Sequence, residues 1–232
     1  MSYNRDEIGI TSAASKSAPQ LERALVIWSI AAVGTALATA LSIWWIDIPV
    51  ARDFAGNAAR LQVLGTGLGS VVLISADLTI ALALVFVRLV RGHISELSKA
   101  SILAALTSIT TYAVNDVVVK FAFGMAGPAA FLTQGADHRF HFGHGTFDTS
   151  FPSGHMALAA SFGVVMMLLQ PRTIGVLAPL LSLGAVALVV GDWHFVSDVV
   201  AGGFIGFSSG LIASELWAAH GQRIAMSSAP GR

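Results

Sequence analysis

Six apolar runs, each near the length needed to cross a lipid bilayer, dominate this chain and restrict it to a bundle of helices. A hydrocarbon core about 30 Å thick takes about 20 apolar residues as a helix, and backbone groups inside it must be bonded within the segment. The predicted spans are Ala24 to Ile46, Gly69 to Val90, Ser101 to Phe123, His155 to Leu169, Ile174 to Trp193 and Val196 to Ala218. The fourth is short, so it is expected to begin inside the headgroup layer. Composition agrees, because 55% of the 232 residues are hydrophobic and only 11% are charged, far from the usage of a soluble domain. The expected fold is therefore all-α: an integral membrane six-helix bundle at 24–218, with polar tails at 1–23 and 219–232. The first segment carries acids ahead of its apolar run and no small-residue cleavage site after it, so it reads as an anchor and not as a signal peptide.

An even number of spans leaves both chain ends on one side. Arg5, Lys16, Arg23, Arg88, Arg91, Lys99, Arg172, Arg223 and Arg232 fall on that side, against Arg52, Arg60, Lys120 and Arg139 on the other. The excess of positive charge puts the termini in the cytoplasm. Compact spans with few loops fit a bacterial cytoplasmic membrane, with the opposite face towards the periplasm or exterior. The 13 basic and 13 acidic residues cancel, which argues against a nucleic-acid partner. The absence of cysteine excludes disulfides and thiolate chemistry. No feature of the sequence fixes an oligomeric state.

Chemistry-bearing residues gather at the outward ends of the spans. Lys120 closes the third, His155 opens the fourth, His194 closes the fifth and Asp198 lies in the first turn of the sixth. Ionisable groups at membrane depth are costly, so their clustering marks a candidate site. In "FPSGH", Pro152 and Ser153 are expected to start a helix, Pro near its first position and Ser as its cap. The amides of Gly154, His155 and Met156 then face outward, where they and the helix dipole favour an anion. Gly154 admits the anion to the backbone, and His155 can give a proton to a leaving oxygen. A plain helix start with a snorkelling histidine reads equally well from these residues alone.

In "GDWHFVSDVVAG", His194 and Asp198 share a helix face if the segment is helical. A carboxylate on one imidazole nitrogen would free the other to attack phosphorus; a structural polar pair is the alternative. Lys120 stands four residues after Asp116, which makes either an ion pair or a phosphate contact. Gly202, Gly206 and Gly210 form a small-xxx-small face for close helix packing. Trp44, Trp45 and Trp193 read as interfacial anchors. Asp77, buried in the second span, is expected to have a polar partner or a water pocket, with proton relay as the alternative.

"PSGH", the later "H-x3-D" and an upstream lysine together resemble the type 2 phosphatidate phosphatase and vanadium haloperoxidase superfamily, over roughly Lys120 to Gly210. The six-span layout is similar to its membrane lipid-phosphatase branch. The resemblance implies hydrolysis of a lipid phosphate or pyrophosphate through a phosphohistidine, without a metal or other cofactor. It implies His194 as nucleophile, Asp198 as its orienting acid, His155 as general acid, and Lys120, Ser153 and Gly154 as the phosphate cradle. Two arginines of the family pattern are missing: Gly127 and Leu188 occupy their places, Ala187 stands where a serine is usual, and Met125 occupies an alternative arginine position. Arg139, the only arginine in the loop between the lysine and "PSGH" motifs, is the expected replacement.

That loop reads "DHRFHFGH", and His138, His141 and His144 with Asp137 or Asp148 could ligate zinc. Outward loop histidines are more commonly solvated, and the expectation is no metal. Two other readings stay open: transfer of the phosphoryl group to an acceptor lipid, and a non-catalytic relative that binds or moves a lipid or another solute.

Overall fold

The structure, a computed structural model, describes residues 5–57, 68–146 and 149–227. Arg60, Asp148 and Arg232, which entered the sequence argument, lie outside the described residues. Seven helical rods are present among those described. The first, α1, runs over Arg5–Leu41, through a π turn at Ser42–Ile46 and on over Asp47–Asp53. Next come α2 (Leu68–Arg91) and α3, which covers Glu96–Val114, a π turn at Asn115–Val119 and Lys120–Phe123. The rest are α4 (Pro128–Gln134), α5 (Gly154–Leu169), α6 (Ile174–Val190) and α7 (Val196–Ser227).

Six of these are the expected apolar helices, and the seventh, α4, is a short addition in the long loop. Five are long and apolar enough to cross a membrane, at Leu25–Asp53, Val72–Arg91, Glu96–Phe123, Pro171–Val190 and Val196–Gly221. The sixth, α5, has 16 residues, which at 1.5 Å per residue is about 24 Å and shorter than the hydrocarbon core. This is a multi-pass, all-α membrane protein.

Helix α5 sits at the centre, packed against α7 on one side and α3 on the other, with α6 against its outer flank. Helix α2 adds to α3, and α1 adds to α7. Residues of α5 are mostly buried, including Ala157, Leu158, Ala160, Ser161, Val164 and Val165. The close seam with α7 follows from its glycines. A Cβ at Gly202 would stand 2.4 Å from the Ser153 carbonyl oxygen, and one at Gly206 would stand 2.6 Å from that of Ala157. Van der Waals contact and polar bonding, the forces that join helices in lipid, both need such proximity.

The polar pairings inside the bundle are few, and the buried Thr39 and Ser214 hydroxyls have no hydrogen-bond partner among the described residues. Ser108 of α3 donates to the Leu158 carbonyl of α5 at 3.0 Å. Asp77 of α2 is buried, and its Oδ2 has no hydrogen-bond partner among the described residues; Ser108, the polar side chain beside it, gives its proton to the Leu158 carbonyl. Trp44 and Trp45 are exposed to the surroundings of the bundle, as membrane-facing anchors are.

Two boundaries differ from the sequence expectation. Helix α6 stops at Val190 and not at Trp193, because Gly191 and Asp192 turn the chain; Asp192 has φ 57°, left-handed backbone that aspartate tolerates better than most residues. Helix α5 begins at Gly154, one residue after its cap, and Pro152 precedes the cap after a cis Phe151–Pro152 bond.

Candidate active site

Four of the expected residues come together where the ends of α3, α5 and α7 meet the turn after α6. His194 lies in that turn, ahead of α7, so it and Asp198 are not two positions on one helical face. The turn is held from behind, since the amides of Trp193 and His194 both donate to the Leu188 carbonyl, at 3.1 and 3.2 Å. Asp198, in the first turn of α7, reaches back to accept from the Phe195 amide at 3.0 Å. This is one half of a capping box, and it presents the carboxylate to the preceding residue, His194.

The His194 Nδ1 atom lies 3.4 Å from Asp198 Oδ2. Ser150 stands between them. Its Oγ is 2.9 Å from His194 Nδ1 and hydrogen-bonds Asp198 Oδ2. On the other side of the ring, His194 Nε2 is 3.4 Å from His155 Nδ1, with the two rings 5.6 Å apart and tilted by 66°. The two imidazoles therefore face one another nitrogen to nitrogen. A phosphorus atom and its leaving oxygen do not fit in a gap that short, so His155 must swing aside to flank a phosphate opposite His194.

Ser153 caps α5 through its hydroxyl, which accepts from the Met156 amide at 3.2 Å. Its own amide donates to the Asp198 carbonyl at 3.0 Å. The cap is thus tied to α7 at the residue that also faces His194. Asn115, in the π turn of α3, donates to the Pro152 carbonyl at 3.1 Å and fixes the other side of the same loop. π turns widen a helix locally and recur at functional sites.

Lys120 is buried, the only lysine or arginine so placed among the described residues. Its Nζ is 2.9 Å from Asp116 Oδ1. That carboxylate oxygen would also lie 2.9 Å from a Cβ at Gly154, so the ion pair adjoins the first residue of α5. A phosphate at the Gly154 amide would meet Lys120 and would compete with Asp116 for it.

Arg139 is exposed, and no hydrogen bond or ion pair found among the described residues joins it to the histidine pair. The expected replacement of the missing arginines is therefore not in place. Those positions hold apolar residues: Met125 is fully buried with Phe151 and Phe195, and Leu188 is buried. Gly127 is filled by proximity, since a Cβ there would be 3.0 Å from Ser150 Cβ.

The three loop histidines take three different partners. His141 Nε2 is 2.7 Å from Asp137 Oδ1, His144 Nδ1 faces the Phe142 carbonyl at 2.9 Å, and His138 turns inward. His138 Nε2 lies 3.2 Å from Asp47 Oδ2 of α1. Asp47 in turn accepts from the Ser197 amide at 3.0 Å and the Ser197 hydroxyl at 2.5 Å. The first helix and the long loop thereby clasp the start of α7. Among the described residues no three acidic or histidine side chains converge as a metal site.

Ser150, Asp47 and Ser197 were not foreseen as parts of this layer, and His138, singled out with the other loop histidines, was not foreseen against Asp47. Only Ser150 carried a signal, its place two residues ahead of "PSGH". Asp47 reads in sequence as an ordinary acid ending an apolar run, and nothing local links it to a residue 150 positions away.

A model of the PAP2 superfamily matches residues 100–221, more than half of the chain. The chain belongs to the PAP2 superfamily. Searches of curated proteins and of solved structures return no match. Membership in the PAP2 superfamily carries a phosphatase-type activity, hydrolysis of a phosphoric ester. The matched span takes in both histidines, Asp198, Lys120, Ser153 and Gly154, and it leaves out Asp47 and all of α2.

Proposed function

We propose that this PAP2 protein is an integral membrane phosphatase that removes an outward-facing phosphate or pyrophosphate from a lipid through a phosphohistidine on His194. The observation that carries the reading is the approach of His194 Nε2 to His155 Nδ1 at 3.4 Å, with Asp198 behind the first ring. Once a swing of His155 opens the gap, a nucleophile and a proton donor on facing rings suit displacement at a phosphorus held between them.

In this reading the Nε2 lone pair attacks phosphorus, the bond to the leaving oxygen breaks, and protonated His155 gives that oxygen its proton. Water then attacks the phosphohistidine, the N–P bond returns its electrons to Nε2, and His155 takes the water proton. Lys120, the Gly154 amide and the start of α5 cradle the phosphate oxygens, with Ser153 shaping that helix start. Arg139 would join them only after moving from its exposed position. No step calls for a metal.

Two features support a lipid substrate. The candidate site lies at the ends of apolar helices, where lipid headgroups would sit. A groove of about 400 Å³ runs between α3 and α7, lined by Thr110, Thr111, Val114, Ile205, Ser209 and Ile212, and Val114 adjoins the π turn that carries Asp116. An acyl chain in that groove would leave its phosphate near Lys120. The distribution of basic residues supports cytoplasmic termini, which would turn the site to the periplasm or exterior of a bacterial cytoplasmic membrane.

The test is purified protein assayed against phosphatidate, phosphatidylglycerol phosphate, a polyprenyl pyrophosphate and a lipid A type phosphate, with a chelator present and an acceptor lipid added. Free phosphate is expected. Phosphorylated acceptor in its place would assign phosphotransfer. Lipid binding without either product would assign a non-catalytic relative, the reading favoured by apolar residues at all three arginine positions and by the pairing of Lys120 with Asp116.

A further inference from the structure

We propose that Ser150 is a positioning residue for the reaction, a hydroxyl bridge through which Asp198 holds His194; the inference rests on the reading of His194 as nucleophile. The direct His194–Asp198 separation of 3.4 Å is longer than the 2.7–3.2 Å usual for an N–H···O bond. The route through Ser150 is within that range on the histidine side, at 2.9 Å, and bonded on the aspartate side.

The direction of the bridge follows from proton count. A carboxylate only accepts, and a serine hydroxyl has one proton to donate and lone pairs to accept with. Ser150 therefore donates to Asp198 Oδ2 and accepts from His194 Nδ1–H. That leaves Nε2 as the unprotonated nitrogen, which is the atom facing His155. The same bridge serves the phosphorylated state. Once Nε2 is bonded to phosphorus the ring carries a positive charge and keeps its Nδ1 proton, and Ser150 with Asp198 balances that charge. The hydroxyl proton stays on Ser150 throughout, and no bond to it forms or breaks.

Ser150 is placed for this task and has little freedom to leave it. It is buried, and its amide donates to the Met125 carbonyl at 2.9 Å. Gly127 makes room for it, since any side chain there would crowd its Cβ and Oγ at 3.0 and 3.2 Å. The position where the family pattern has an arginine thus lies directly against the serine bridge, and a Cβ there would press on Ser150.

The experiment compares wild type with Ser150→Ala, Ser150→Cys and Ser150→Thr in detergent, with intact folding checked by thermal unfolding. Hydrolysis kinetics on a lipid phosphate give kcat and KM, and nitrogen NMR of labelled histidine gives the His194 tautomer. Loss of a hydrogen bond to a charged group predicts kcat about 10- to 100-fold lower for Ala, with KM unchanged and the Nδ1–H tautomer no longer dominant. Cys keeps the volume but bonds weakly, so it should show the same losses and stands in for Ala if Ala fails to fold. Thr keeps the hydroxyl and should restore both readouts. Wild-type kcat and tautomer in Ala or Cys would overturn the bridge, as would a raised KM with kcat and tautomer held, which would move the hydroxyl to the phosphate cradle. If wild type itself hydrolyses none of the lipids, the phosphatase reading fails, and the tautomer comparison still decides the bridge.

Discussion

Two seams of this bundle are built on opposite terms. Between α5 and α7, glycines bring backbone against backbone: a Cβ at Gly206 would meet the Ala157 carbonyl oxygen and the Ala160 Cβ, both at 2.6 Å. Around α6, a Cβ at Gly175 or Gly184 would meet nothing within 4 Å, and its leucines and valines, Val176, Leu180, Leu183 and Val186, are exposed to the lipid side. The first seam carries Ser153, His155 and Asp198 and fixes their spacing. The second helix serves to span the membrane and to deliver His194 through its terminal turn. In lipid, apolar exposure costs nothing, so α6 can leave one face unpacked while the α5–α7 seam closes.

The comparison breaks most readily at its glycines. Gly206→Ala forces atoms into rigid backbone, and overpacking of this kind costs about 1–3 kcal/mol. Gly184→Ala should instead gain up to about 1 kcal/mol from helix propensity. Thermal unfolding of both variants in detergent measures the difference, and equal shifts would show that the two seams are not distinct.

An effect of similar size is expected at the clasp. Asp47→Ala leaves His138 and both Ser197 donors without their partner; buried groups so orphaned cost about 1–3 kcal/mol. Turnover should fall along with melting temperature, because α7 begins at this contact. Asp47→Asn, which keeps an acceptor for Ser197, should lose less by both measures.

Asp116→Asn sharpens the comparison within the tight seam. It removes the carboxylate that pairs with Lys120 at 2.9 Å and lies beside Gly154. Inorganic phosphate should then inhibit at several-fold lower concentration, read from inhibition curves.

The turn between α6 and α7 adds a pH term. Burial pushes the Asp192 carboxyl up to about 6, against a backbone hydrogen bond from Gly56 that acts the other way. The folded protein thus holds a proton that the unfolded chain releases near pH 4. Stability from this group is full below about pH 4 and is lost as pH rises through about 6. Asp192→Asn should flatten that slope in unfolding measured from pH 4 to 7. The smallest effect belongs to exposed Asp137, whose carboxyl is held below its ordinary value chiefly by the hydrogen bond with His141. Its contribution is present above the ordinary aspartate value and is lost as pH falls through the lowered one. Asp137→Asn should leave unfolding at neutral pH close to wild type, since an exposed pair is screened by water and salt.

Much of this arrangement was legible in the sequence because it is local. Span length follows from apolar runs, the α5 cap from Ser153 ahead of its helix, the close seam from glycines four residues apart, and the gathering of Lys120, His155, His194 and Asp198 from their places at span ends. Contacts across the fold were not legible. The pairing of Asp47 with Ser197 joins the first helix to the last, and His138 reaches it from a loop whose path no periodicity encodes. The insertion of Ser150 between His194 and Asp198 depends on a loop brought back by the Met125 carbonyl and the Asn115 side chain. The turn at Gly191 and Asp192 moved His194 off the helix, because a single left-handed residue outweighed an apolar pattern that would have run on to Trp193.

The central claim is that His194 Nε2 takes the phosphoryl group. The most direct measurement is acid-free quenching of purified protein mixed with a lipid carrying radiolabelled phosphate, followed by scoring of protein-bound label for the acid lability and base stability of a phosphohistidine. Label on wild type, absent from His194→Ala and accumulating in His155→Ala with an activated leaving group, is the predicted result. Label retained by His194→Ala, or phosphate released by it at the wild-type rate, would contradict the account.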